Sequence, residues 1–248
     1  MAEIKSIAVV GYKNASEQDT ITPLEIFRGA KLVLGDQIAP WKRADGPRQL
    51  DVKLVSMEPG NITMQTGTQV VPDAVLGDHD LFDIFYVPGG VGSGAMTQNH
   101  KLINAIKRHH SAGKVIGANC SGVGVLHRAG ILGKTQVTAV AAVVRGMRAE
   151  GTNVPQPRRM WEGDPERGIW TATGSYGING ATVAMVAHYF GREVGTIVSM
   201  MFDTYGGVGE HIYELRGPEF YYHPDLEPKF QDYFEPMLLP KPKQEAHR

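Results

Sequence analysis

The chain has 248 residues, 42% of them apolar and 21% charged, with a formal net charge of −1; this is the balance of one globular domain, and it excludes disorder as the main state. Acids and bases are interspersed, which leaves no electrostatic footprint for sequence-independent nucleic-acid binding, and the basic tail KPKQEAHR is short and itself contains an acid. No apolar run reaches the length of a membrane span, the start MAEIKSIAVVGYK has no signal-peptide core, and the one cysteine, Cys120, has no partner for an internal disulfide, so a cytoplasmic, enzyme-sized protein is expected.

Glycine is in excess at 30 of 248 residues, about 12% against an ordinary share of roughly 7%. Ten glycines fall in 86–133 and ten more in 168–217, so these windows are where close backbone approach is expected.

Short runs rich in Val and Ile alternate with longer amphipathic stretches, the pattern of a parallel α/β sheet covered on both faces. Ile4 to Val10 reads as the first strand, and Thr20 to Leu34 as a helix with Ile21, Leu24, Phe27 and Leu34 on one side and Pro23 in its first turn. Asp51 to Met57 is a second strand; Asn61 to Gln65 with Thr68 to Val71 form a small hairpin or extended edge. Leu81 to Val87 is a buried strand ending in Pro88-Gly89-Gly90, followed by a glycine-rich loop to Met96. A helix over 100–111 carries Leu102, Ile103 and Ile106 at helical spacing and stops before Gly113. Lys114 to Ala118 is a further buried strand, running through Asn119-Cys120-Ser121-Gly122 into a short helix from Val123 to Ala129. Beyond Thr135 to Ala139 lies a polar, poorly patterned region, 145–167. A strand from Gly168 to Thr173, a helix from Ile178 to Phe190 and a closing helix from Arg192 to Tyr205 complete a domain over 1–205. Residues 206–248 sustain no period and read as an extended C-terminal extension that packs on the domain or on a neighbouring subunit.

Three places carry chemistry. In VIGANCSGVGVLHRAG a buried strand, a sharp turn and a helix succeed one another, and the turn holds Cys120. That is the layout of a nucleophile elbow, in which small neighbours such as Ser121 and Gly122 let the turn form, and a helix N-terminus there is expected to lower the thiol pKa. A buried structural thiol is the competing reading. In VPGGVGSGAM, Gly89, Gly90, Gly92 and Gly94 either leave backbone N–H groups free for an oxyanion or form a plain flexible turn. The loop is not a dinucleotide fingerprint, since Gly90 and Gly92 are followed by Ala95 and no acidic residue closes a following strand. Gly133-Lys134-Thr135 lacks the earlier glycine and the strand-to-helix order of a phosphate loop. Asp19 lies at the same sheet edge as the elbow and is either a helix cap or a carboxylate facing Cys120; in the second case one proton would be shared and the carboxyl pKa raised. Ser175 and Tyr176, in TATGSYGING, sit at another strand-to-helix turn and either line a pocket or reflect close packing. His109, His110 and His127 read as solvated or capping residues, and no Cys/His spacing points to a metal.

Together these places resemble the ThiJ/PfpI superfamily, single-domain relatives of class I glutamine amidotransferases. The resemblance rests on DTITPLEIF, on DIFYVPGG, and on ANCSGVGVLHRAGILGK with TATGSYGINGATVAM, and its ordering is most similar to the isonitrile hydratase branch. It implies a flavodoxin-like three-layer α/β sandwich with a mainly parallel sheet, no cofactor, a small-molecule substrate and a homodimer. It further implies Cys120 as nucleophile, Asp19 as its carboxylate partner, Gly90 and Ser121 as backbone N–H donors to the oxyanion or thiolate, and Gly89, Gly122, Ser175 and Tyr176 around the substrate. Protease-like members place His after the cysteine, where this chain has Ser121, so peptidase activity is disfavoured. The activity implied is hydration of an isonitrile to an N-substituted formamide. Carbonyl chemistry on a small aldehyde and a non-enzymatic redox sensor or chaperone-like role are the alternatives.

Overall fold

In the computed structural model, residues 3–38, 48–204, 211–219 and 223–242 are described. The first strand, β1 (Ser6–Gly11), leads into α1 (Glu17–Leu34), and β2 (Asp51–Ser56) returns beside it. A two-stranded hairpin, β3 (Ile62–Thr63) with β4 (Gln69–Val70), precedes the short β5 (Ala74–Val75). Then follow β6 (Ile84–Val87), the single turn α2 (Ser93–Met96), α3 (His100–Ser111), β7 (Val115–Asn119) and α4 (Gly122–Ala129). The chain continues through α5 (Ala141–Ala149), β8 (Trp161–Asp164), β9 (Ile169–Ala172), α6 (Tyr176–Phe190), α7 (Arg192–Met201) and α8 (Glu227–Leu238).

The main sheet has the order β5-β2-β1-β6-β7-β9-β8, parallel throughout except for the antiparallel edge strand β8. Ile7 to Val10, Ile84 to Val87 and Val115 to Asn119 are buried along their whole length, because helices cover both faces of the central strands. α1, α6 and α7 pack together on one face; α3 and α4 pack on each other and on β7 on the opposite one. The chain leaves β1 for β2 on one side and comes back to β6 on the other. This makes the carboxyl ends of β1 and β6 a topological switch point, where open α/β sheets place their sites. The mainly parallel sheet expected from the alternating pattern, and the flavodoxin-like sandwich that the resemblance implies, are the architecture found.

Several boundaries and elements differ from the sequence reading. α1 begins at Glu17, three residues early, so Pro23 lies inside the helix and not in its first turn. The region taken as unpatterned holds the second half of α5 and all of β8; Val143 and Met147 of α5 turn inward one helical turn apart and Trp161 is fully buried. The C-terminal extension is not wholly extended: α8 lies against α5, with Arg145 bonded to Asp232 and Glu235, and Gln231 bonded to the Ala141 carbonyl. Tyr205, the expected end of the last helix, and residues 206–210, 220–222 and 243–248 of the extension lie outside the described residues. Among the described residues no helix is long and apolar enough to cross a membrane.

Candidate active site

The elbow is the turn between a strand and a helix. β7 ends at Asn119 and α4 starts at Gly122, leaving Cys120 to reverse the chain with φ 51°, in the left-handed region that a residue with a side chain seldom adopts. Its N–H bonds to the Ala172 carbonyl at 3.0 Å, which pins the strained residue to the end of β9. Gly122 is required by proximity, since a methyl there would overlap the Val87 and Pro88 carbonyl oxygens at the end of β6. The sulfur is thereby presented at the carboxyl edge of the sheet, on a half-buried residue.

Asp19 is not the cap of α1. That position belongs to Ser16, whose Oγ accepts the Asp19 N–H at 3.4 Å. Asp19 lies within the first turn, 4% exposed, with its carboxyl hydrogen-bonded to the Cys120 thiol. Gly89 lies against the pair: a methyl there would come within 2.6 Å of both the Asp19 Oδ2 and the Cys120 Cβ.

The D-x-x-x-P spacing now has a physical account. Proline has no N–H, so Pro23 cannot bond the carbonyl four residues back, which is that of Asp19. The freed carbonyl accepts from Asn119 Nδ2 at 2.8 Å, while Asn119 Oδ1 accepts the Gly89 N–H at 3.0 Å and Nδ2 also reaches the Tyr86 hydroxyl at 3.2 Å. One buried amide, the residue before the cysteine, therefore ties α1, the Gly89 loop and β6 around the thiol. Sequence reasoning missed Asn119 because it looked for reacting groups; the signal was a helix-interior proline four residues beyond an acid.

Burial raises the Asp19 carboxyl from 3.8 to about 6, and the hydrogen bond from Cys120 pulls the other way and loses. The thiol is pushed well above its ordinary value, by burial first and then by the Asp19 charge, against the opposing pull of the Ser121 N–H and hydroxyl. The lowering expected from the helix N-terminus is thus reversed. Desolvation and a neighbouring carboxylate outweigh the positive end of a two-turn helix, and the two groups hold one proton between them above the Asp19 titration.

The profile of the DJ-1/PfpI family matches residues 5–178 of this chain. The chain belongs to the DJ-1/PfpI family. Among curated proteins it is similar to an isonitrile hydratase of Pseudomonas putida, 30% identical over 104 residues. That match covers 42% of this chain and 46% of the relative, so the chain spans about half the length of the curated relative it matches. Among solved structures it is similar to a ThiJ/PfpI family protein from Pseudomonas syringae (TM-score 0.70, 17% identity, 96% of this chain and 90% of that one). It is also similar to DJ-1beta of Drosophila melanogaster (TM-score 0.68, 19% identity, 80% and 97%). Likeness at these identities speaks for the DJ-1/PfpI fold.

Within this DJ-1/PfpI chain the oxyanion reading of the glycine loop needs correcting. The Gly90 N–H is taken by the Ser121 Oγ at 3.0 Å, that of Gly89 by Asn119, that of Val91 by Gln65 and that of Gly92 by the Asn14 carbonyl, so these amides hold the loop together and none is free for substrate. Gly90, with φ 116°, lets the chain pass against Ala15 and Ser16. The Ser121 N–H remains on the sulfur, and its hydroxyl lies within reach of both the sulfur and the Gly90 carbonyl.

Ser175 adopts φ 34° and donates to the Gln18 Oε1 at 2.7 Å, joining the start of α6 to the residue before Asp19. Tyr176 is 64% exposed. His109, expected at the surface, is fully buried between the Phe82 N–H and the Ala105 carbonyl, and His127 is held by Thr152 and Glu150. Among the described residues no group of His, Cys, Asp and Glu side chains is disposed to hold a metal ion.

Proposed function

We propose that this chain is a cofactor-independent hydratase of small electrophiles that uses Cys120 as nucleophile and Asp19 as proton carrier, with an isonitrile as the substrate. The observation that carries the reading is the buried carboxyl hydrogen-bonded to a thiol on a strained elbow, a pair that holds one proton and can pass it without solvent. The partial match to an isonitrile hydratase supports the choice of substrate.

In the proposed reaction the sulfur forms a bond to the terminal carbon of R–N≡C, and the pair's proton goes from Asp19 to that carbon, giving a thioimidate, R–N=CH–S. Water then adds to the same carbon, with its hydroxyl on carbon and one proton on nitrogen. As the carbonyl forms, the C–S bond breaks, its electrons return to sulfur, and the hydroxyl proton passes to the Asp19 carboxylate. The sum is R–N≡C plus water giving R–NH–CHO, with no change in oxidation state.

Isonitriles and 2-oxoaldehydes supplied in parallel, with products identified by mass spectrometry, test the assignment. Formamide formed only from isonitriles is expected; turnover of 2-oxoaldehydes alone would move the same cysteine to carbonyl chemistry.

A further inference from the structure

Almost every described glycine has a structural reason to lack a side chain. Some hold a positive φ, as Gly90, Gly113, Gly130 and Gly191 do. At others an added methyl would crowd a neighbour, as at Gly89, Gly122, Gly177 against Met160 and Gly180 against Trp161. Gly174 has neither. It is outside the left-handed region, and the single atom within 4 Å of a methyl built on it is the Cys120 sulfur, at 4.0 Å.

We infer that Gly174 is a specificity-determining residue, whose missing side chain keeps open the side of the sulfur from which the electrophile arrives. The inference rests on reading Cys120 as the nucleophile. Asp19 and Ser121 engage the sulfur by hydrogen bonding, and Gly89 closes against the Cys120 Cβ. A reacting carbon must come within about 3–3.5 Å of the nucleophile, and a methyl in van der Waals contact with the sulfur would stand in that space. The wall that carries Gly174 is fixed next door, where Ser175 is tied to α1 through Gln18. The substrate class that fits is an electrophile whose reacting carbon is terminal and unbranched; branching at that carbon is what the wall rejects.

Because Cys120 is the only cysteine in the chain, alkylation reports this site alone. The test compares iodoacetamide, which attacks through an unbranched CH2, with the bulkier N-ethylmaleimide, on the full chain and on Gly174→Ala and Gly174→Val, with thermal unfolding followed in parallel. Gly174→Ala is expected to keep its Tm and to lose about tenfold or more in rate with N-ethylmaleimide while losing far less with iodoacetamide, and Gly174→Val to slow both. Two results would overturn the inference: rates unchanged within about twofold for both reagents in both variants, or a Gly174→Ala protein that no longer folds, which would show that the glycine serves the backbone. No isonitrile is used, so a failure of the hydratase assignment leaves this result standing. A parent chain inert to both reagents would instead remove the nucleophile reading and this inference with it.

Discussion

Asp19 and Cys120 are each costly where they stand, and their chemistry follows from that cost. A carboxyl whose pKa is raised in the folded chain binds its proton more tightly there than in the unfolded chain. Its contribution to stability is therefore complete below about pH 4 and is lost as the pH rises through about 6. Asp19→Asn removes a buried charge, so at pH 7.5 it should stabilise the protein by up to about 3 kcal/mol, at 1.36 kcal/mol per pH unit, and by nothing at pH 4, as urea denaturation at the two pH values would show. The same change should lower kcat/KM by roughly 10²–10⁴-fold. In the unaltered protein kcat/KM should rise from acid pH and level off near 6, where the doubly protonated pair gives up its first proton. A profile that keeps this bend in Asp19→Asn would assign the titration to another group. Both members of the pair were legible in the sequence, one as the only cysteine and the other through its place at the same sheet edge as the elbow. The direction of the thiol shift was not, because helix-end electrostatics can be read from neighbouring letters whereas desolvation depends on residues such as Gly89 and Tyr86 brought in from other strands.

The secondary-structure elements meet at Asn119. As the last residue of β7 it fixes the register of Cys120 against Ala172, and its amide satisfies a carbonyl from α1 and an N–H from the loop after β6. Asn119→Ala leaves both backbone groups buried without those partners, at about 1–3 kcal/mol each. A fall in the urea midpoint and a loss of kcat are expected together; an active, fully stable variant would show that the network is redundant. Strands with uninterrupted Val and Ile were readable, as were helices with one apolar side. α8 was not, because its pattern is mixed: Glu227 and Gln231 are buried along with Leu238, while Phe230, Tyr233 and Met237 are exposed. A search for apolar periodicity on an inward face passes over such a helix. α5 was hidden for a related reason, since Gly146 breaks the apolar repeat where Leu239 and Glu235 pack on it.

Taken as a whole, the molecule fastens its C-terminal segment behind the elbow. Leu239 reaches Gly124 on α4, the backbone at Met237 lies on Gly94 beside the glycine loop, and Arg128 holds the Pro240 carbonyl at 3.0 Å. The segment is locked by an ion pair buried at both ends, Arg158 to Glu227 at 3.1 Å, with 6% and 9% of the side chains exposed. Glu227→Gln removes the charge opposite a buried guanidinium and should cost about 3–5 kcal/mol in chemical denaturation. Replacing both partners with methionine should restore most of that loss. If Glu227→Gln is neutral, the pair does not secure the segment. The segment's composition, rich in Pro, Tyr and Glu, concealed these contacts because they are made by side chains far apart in the sequence.

In the proposed reaction Cys120 forms a bond to the substrate carbon while Asp19 moves the proton. The direct measurement is intact-mass and peptide mass spectrometry on acid-quenched protein during isonitrile turnover. An added mass equal to one isonitrile is expected on the peptide containing Cys120, absent from Cys120→Ala, together with loss of formamide production in that variant. A Cys120→Ala protein that makes formamide at the unaltered rate, with no adduct on the parent chain, would contradict it.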